Sequence, residues 1–228
     1  MMDLVQLIDQ KVNNQEPVHV LGVNADKIVA MNNNRKLQNI MACADIIHPD
    51  GVSMILASRI LKKRIHERVA GIDLMEELLS LANSKNYTVY FLGAKDCILN
   101  KMIKNLMGKY PKLKIDGFRN GYFSQEDWPN VANDLKTLKP NLVFVGITSP
   151  KKEYLIDYLM AHGVNTVFIG VGGSFDVLSG EIKRAPLWIQ NCHLEWFFRL
   201  LQEPKRLFKR YLFGNLKFLK LIIQEKII

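Results

Sequence analysis

At 228 residues, 48% of them hydrophobic, the chain is long enough for one sizeable α/β domain with an appendage and too apolar to be disordered. No run reaches the roughly 18 uncharged apolar residues that span a bilayer, and the opening MMDLVQLIDQKVNN lacks the basic start and apolar run of a secretory leader. Of the formal net charge of +9, residues 181–228 supply ten Lys and Arg against four Asp and Glu, so the excess is concentrated in a tail suited to nucleic acid, an anionic membrane surface or simple solubility.

In chain order, residues 3–12 have the spacing of a short amphipathic helix. Residues 18–23 form a first strand, with Asn24, Ala25 and Asp26 at its carboxyl end. A helix begins near Asp26, with Asn24 or Ala25 near its cap, and helical spacing continues over 35–43. Residues 44–47 make a second short strand, and His48-Pro49-Asp50-Gly51 a rigid turn with Asp50 at its apex, close to the start of a helix over 52–61. On residue type alone, Asp50 is more often a turn or cap residue than a catalytic one. Lys62, Lys63, Arg64, His66, Glu67 and Arg68 form a charged loop before a helix over 73–83, capped by Asp73. A strand over 87–92 ends at Gly93-Ala94, and a helix covers 96–109. A strand over 112–117, a loop over 119–123, a helix over 126–138 and a strand over 141–145 follow. The Ser149-Pro150-Lys151-Lys152-Glu153 stretch leads into a helix over 153–162, and residues 164–171 are the last strand. The three cysteines, Cys43, Cys97 and Cys192, show no metal-ligand or disulfide spacing, suit a reducing cytoplasm, and read as packing residues.

Strands alternating with helices predict a mainly parallel, Rossmann-like sheet with helices on both faces. Right-handed crossovers then bring the Asn24, Asp50, Gly93, Pro150–Glu153 and Gly172–Ser174 loops to one edge, where open α/β sheets bind ligands. The last strand breaks into Gly172, Gly173 and Ser174. Such a loop can offer backbone N–H groups to a phosphate; equally, the glycines can serve tight turning alone. There is no G-x-x-x-x-G-K-[ST], no G-x-G-x-x-G after the first strand and no D-x-D. An enzyme acting on a nucleotide sugar without that acidic pair must neutralise the leaving diphosphate with amides, helix dipoles and cations. Arg68, Lys151, Lys152 and the Gly172–Ser174 loop are the candidates, and no metal or cofactor is expected.

Residues 20–211 resemble the WecG/TagA/CpsF family of bacterial glycosyltransferases. The matching pieces, in order, are Asn24-Ala25-Asp26, Ala44-Asp45-Ile46-Ile47-His48-Pro49-Asp50-Gly51, Glu67-Arg68-Val69-Ala70-Gly71-Ile72-Asp73-Leu74, Phe91-Leu92-Gly93, Asn120-Gly121-Tyr122-Phe123, Pro150-Lys151-Lys152-Glu153 and Gly170–Asp176. Arg184-Ala185-Pro186-Leu187-Trp188, then Leu194-Glu195-Trp196, Arg199 and Glu203-Pro204, complete the pattern. Each piece alone is weak, and the ordered set is specific.

The resemblance implies a metal-independent, inverting transferase at the inner face of the cytoplasmic membrane. It would move a sugar such as N-acetylmannosamine from UDP to an undecaprenyl-diphosphate-linked saccharide, for teichoic acid, enterobacterial common antigen, capsule or exopolysaccharide. It implies Asp50 as general base, Asn24 at the sugar or acceptor, and Arg68, Arg199 and Arg206 at phosphates, with Lys151, Lys152, Glu153, Gly172, Gly173 and Ser174 among the substrate-binding residues. Two positions depart from the family pattern: Gly22 stands where Thr is usual, and Lys152 where Gln is usual. The donor sugar, the acceptor glycan and any self-association are left open.

Residues 187–201 and 205–213 read as two helices interrupted at Pro204, with Trp188, Trp196, Phe197, Phe198, Phe208 and Phe213 interleaved with basic residues. That pattern fits an interfacial membrane segment, or a helix pair packed on the core with a solvated basic face. The division expected is a catalytic domain over 1–190 and a membrane-associating appendage over 191–228. In the family, the appendage is thought to close over the active site. The alternative reading is a basic nucleic-acid-binding protein; against it, the aromatics cluster with aliphatics and match no recognised nucleic-acid motif, so no nucleic acid is expected as partner.

Overall fold

The computed structural model describes every residue except Arg64, His66 and Ile228, and only the backbone of Arg206 and Ile227. Arg64 and His66 of the charged loop, and the side chain of Arg206, therefore lie outside the described residues. The chain begins with α1 (Met2–Asn13), β1 (Val18–Val23), α2 (Ala25–Asn32), α3 (Arg35–Ala42), β2 (Ile46–Pro49) and α4 (Val52–Ile60). It continues with α5 (Gly71–Lys85), β3 (Thr88–Gly93), α6 (Asp96–Lys109), β4 (Lys114–Arg119), a 3₁₀ turn (Gln125–Asp127), α7 (Trp128–Leu138) and β5 (Leu142–Gly146). Then come α8 (Lys151–Ala161), β6 (Val167–Gly170), α9 (Ser174–Leu178), α10 (Leu187–Asn191), α11 (Glu195–Gln202) and α12 (Pro204–Ile227).

The six strands form one sheet in the order β2-β1-β6-β5-β3-β4, and every neighbouring pair is parallel. The central strands are continuous apolar runs because both of their faces are covered. Alternate side chains feed two layers. Val18, Val20, Val89, Phe91, Leu142, Phe144, Val167 and Ile169 pack with α1, α5, α6 and Phe175 on one face. Tyr90, Leu92, Val143, Val145 and Phe168 pack with α7 and α8 on the other. The result is an α/β, Rossmann-like sheet with a C-terminal helical segment, as its alternating pattern predicts.

Several boundaries differ from the sequence reading. The second strand begins two residues later and takes in His48 and Pro49, because Gly22 and Val23 of β1 pair with them and extend the ladder. The helix expected from Asp73 starts at Gly71; Asp73 lies in its first turn and binds Arg184, so it is no cap. Helical spacing over 35–43 belongs to a separate helix, capped by the side chain of Asn34. The tail helix expected over 187–201 is broken between α10 and α11, where His193 takes a left-handed φ of 60°. Residues 205–213 are only the first part of the 24-residue α12. The three cysteines are exposed rather than packed in the core.

α12 lies across α2 and α4. Phe218 and Ile222 join Ala25 and Ala57 in a small cluster of their own. A Cβ on Gly214 would come within 2.8 Å of Asp26 Oδ1, and Arg210 Nε donates to Asp26 Oδ2 at 2.6 Å. The basic tail is thus fastened beside the loop that follows β1.

Candidate active site

The carboxyl ends of β2, β1 and β6 carry the candidate chemistry. The Asp50 amide donates to the carbonyl of Val23 at 2.7 Å, which locks the turn after β2 onto the end of β1. Gly51 opens α4 at a φ of +130°, which a side chain would resist. Gly71 is the first residue of α5, and its N–H points at Asp50 Oδ1 over 3.4 Å. The carboxylate of Asp50 therefore faces a helix N-terminus, where negative charge is favoured. A Cβ on Gly22 would lie 3.0 Å from the His48 ring and 3.2 Å from Asp50 Cβ, so Gly22 forms the floor beneath both. Asn24 sits beside this turn, and a Cβ on Gly51 would meet its Cβ at 3.7 Å. The Asn24 Oδ1 caps α2 by accepting from the Lys27 amide at 3.1 Å. That half of the side chain is committed to structure.

Beneath the edge lies a buried charged layer. Lys27 Nζ donates to the Gly22 carbonyl at 2.6 Å and pairs with Glu153 Oε1 at 2.9 Å. Lys152 Nζ is 3.9 Å from the same oxygen. Glu153 is wholly buried, and Lys152 and Lys27 nearly so. Burial alone would raise Glu153, but the Lys152 and Lys27 ammonium groups outweigh it and hold the carboxyl at about 2. Lys152 is pushed down to about 8, first by burial and then by Lys27, against the pull of Glu153 and Asp50. His48 is lowered by burial in spite of Asp50, and His19 falls to about 4 by burial and Lys27. Lys152 and Glu153, expected at the substrate, are buried in this charged layer, on the first turn of α8. Gly170 leaves room for the Lys152 side chain: a Cβ there would be 2.9 Å from Lys152 Cε.

The other expected residues divide. Lys151 turns to the far half of the edge, where its Nζ donates to the carbonyls of Phe123 and Gly121. The hydroxyl of Ser174 is buried and donates to the Val171 carbonyl at 2.7 Å, so it is spent on its own turn. Gly172 takes a left-handed φ of 54°. Gly173 lies flush against the Arg199 guanidinium, and any Cβ would overlap it. Arg199 of α11 is thereby brought over the Gly172–Ser174 loop, with its Nε 3.7 Å from Glu203. Arg68 is bound by Glu195, the first residue of α11. Asn24, Asp50, Gly71, Val171, Gly173, Arg68 and Arg199 therefore belong to one edge.

Lys27, His48, Arg184 and Glu195 are the residues that sequence reasoning missed. The advance signal was the place of His48, Arg184 and Glu195 inside matched motifs; Lys27 lies in none. Among the described residues, no group of three or more His, Cys, Asp or Glu side chains is arranged to hold a metal ion.

The glycosyl transferase WecG/TagA/CpsF family model matches residues 1–228. A relative from Bacillus subtilis, an N-acetylglucosaminyldiphosphoundecaprenol N-acetyl-beta-D-mannosaminyltransferase, is 35% identical over 199 residues, which is 87% of this chain and 75% of that protein. A protein of the same name from Bacillus spizizenii is 36% identical over 173 residues, covering 76% of this chain and 66% of its own length. With the whole chain matched, and the matched motifs gathered at one sheet edge, the chain belongs to the WecG/TagA/CpsF family of glycosyl transferases.

Proposed function

We propose that the chain transfers an N-acetylmannosamine-like sugar from its UDP conjugate to N-acetylglucosamine carried on undecaprenyl diphosphate, with inversion and without a metal ion. One observation carries this reading: the half-buried Asp50 carboxylate stands at the carboxyl edge of the sheet, opposite the N-terminus of α5, the helix that begins three positions after Arg68. A carboxylate so placed takes the proton of the acceptor hydroxyl as its oxygen attacks the anomeric carbon. The bond from that carbon to the diphosphate oxygen breaks on the opposite face, and UDP leaves with the electron pair. The β-linkage in the relatives' names fits inversion of an α-linked nucleotide sugar. Arg68 and Arg199 are the cations for the departing charge. The test is a panel of UDP-sugars with a short-chain lipid-diphosphate-linked N-acetylglucosamine, products being identified by mass. Failure of every donor to give product would end the proposal.

Because cations replace a metal in this scheme, activity is expected to survive EDTA. Loss on chelation, with recovery on Mg²⁺ or Mn²⁺, would overturn the metal-free account.

We further propose that residues 191–228 form an appendage to a catalytic domain over 1–190 and dock it on the inner, anionic face of the membrane. Among the described residues no helix is long and apolar enough to cross a membrane. Instead α12 exposes Phe208, Leu212, Leu216, Leu219 and Ile223 at helical spacing, beside Lys205, Lys209, Lys217 and Lys220. Salt-sensitive binding to anionic vesicles, with none to oligonucleotides, is the expected result; the reverse would favour a nucleic-acid role. Arg199→Ala should leave vesicle binding intact while lowering turnover. A variant that instead lost only vesicle binding, and kept full rate on a water-soluble acceptor, would reduce the tail to an anchor.

A further inference from the structure

The appendage reaches the catalytic edge with a carboxylate as well as with arginines. Glu195 opens α11 and binds Arg68 through Oε2, while its Oε1 lies 3.6 Å from Arg184 Nε. Arg184 is held from the other side by Asp73 and by Glu76 at 3.4 Å, both on α5. All three bridging side chains are largely buried, with 19% of Arg68, 21% of Glu195 and 25% of Arg184 exposed. Arg68 lies three positions before Gly71, whose N–H faces the Asp50 carboxylate. Two guanidinium groups are thus aimed at one anionic group, one of them from the segment that leads into the helix facing the candidate base, and in this structure that group is the protein's own.

The mooring of α11 does not need this contact. Gln202 exchanges two hydrogen bonds with the backbone of Lys183, at 3.0 and 3.1 Å. The Trp196 ring packs on Phe197 and on Tyr211. Arg184 keeps Asp73 and Glu76 whatever Glu195 does. Its Nε is buried and makes no hydrogen bond, because the Glu195 oxygen stands too far away to satisfy it. A larger anion with more oxygens would reach both arginines at once. A diphosphate has that size, carries more negative charge than one carboxylate, and suits the forked donors of arginine.

Resting on the transferase reading above, we propose that Glu195 occupies the diphosphate position of the resting enzyme, bridging Arg68 and Arg184, and that a substrate diphosphate displaces it. Arg184 is then a second diphosphate-binding arginine. Binding of substrate is coupled to movement of α11, because the group displaced is the first residue of that helix. The ligand is a diphosphate ester, whether of the nucleotide sugar or of the lipid carrier.

The experiment compares the full chain with Glu195→Gln, by calorimetric titration with UDP, a short-chain prenyl diphosphate and inorganic diphosphate. Gln keeps the shape and removes the competing charge. The variant is expected to bind at least one of these probes about 5-fold or more tighter, the scale of an ordinary coupling between sites. A gain confined to UDP assigns the position to the donor, and a gain confined to the prenyl diphosphate assigns it to the acceptor; either supports the displacement. Equal or weaker binding of all three by Glu195→Gln would overturn it and leave Glu195 a tether. Uridine, which has no phosphate, separates this failure from that of the transferase reading. If uridine and UDP bind neither protein, the nucleotide-sugar reading falls, while the inorganic diphosphate titration still decides the role of Glu195. Should Glu195→Gln melt well below the parent, Glu195→Asp, which draws the carboxylate back by one methylene, is judged by the same criterion.

Discussion

Asp50→Asn is expected to lower turnover by about 10²–10⁴-fold, the usual contribution of a positioned general base. The substitution preserves the turn: the Asp50 amide still donates to Val23, and the amide oxygen can still face the N–H of Gly71. What it removes is the basic carboxylate at the helix N-terminus. Donor affinity should therefore change little, because the cations expected at the diphosphate are on other elements. Single-turnover kinetics with a saturating donor, alongside a UDP titration, measure the two quantities separately. Near-parental turnover in Asp50→Asn would remove Asp50 from the mechanism and leave it as the turn residue that its sequence context also allows.

The largest effect on stability should come from Glu153. Glu153→Ala leaves the ammonium groups of Lys27 and Lys152 buried with no carboxylate between them. Breaking a buried pair in this way typically costs about 3–5 kcal/mol, a large part of the 5–15 kcal/mol that holds an ordinary domain together. Urea unfolding at neutral pH should show the loss, and Glu153→Gln should share most of it, because charge rather than volume is what the lysines lack. A loss of less than about 1 kcal/mol in both variants would mean that the layer is not a compensated charge cluster. The pH dependence follows from the same group. Its carboxyl titrates at about 2 in the fold against an ordinary 4.5, so its contribution is fully present above about 4.5 and is lost as pH falls toward 2. Lys152 has the opposite sense. Its amine titrates at about 8 in the fold against an ordinary 10.5, so its charged form costs stability below 8, and that cost fades as pH rises from 8 to 10.5. Relative to the parent, Lys152→Gln should therefore gain stability at neutral pH, and the gain should shrink in mild alkali.

Local pattern was enough for the sheet. The strands buried on both faces are continuous apolar runs, and their alternation with helices leaves a parallel α/β sheet as the economical arrangement. The turn at Asp50 and Gly51 and the glycines after β6 were legible for a similar reason: each depends on a backbone conformation that few residue types accept. The ordered motifs then located Asp50, Asn24, Arg68 and Arg199. The end of β2 was not legible. Pro49 reads as a turn former, yet it pairs with Val23, and only the neighbouring strand decides that.

The buried charges were hidden for a stronger reason. Lysine and glutamate are expected in water unless they are compensated, and Glu153 is compensated in part by Lys27, on a helix that follows another strand. Glu195 and Arg68 stand 127 positions apart, so nothing local to either could show that they meet. The fold class was thus determined by residue type and order, which act over a few neighbouring positions, and Asp50 was named as candidate base through the family resemblance of its motif. The charged floor, the seating of α12 on α2 and α4, and the carboxylate between two arginines were decided by the tertiary structure, because each exists only once distant segments exclude water from one another.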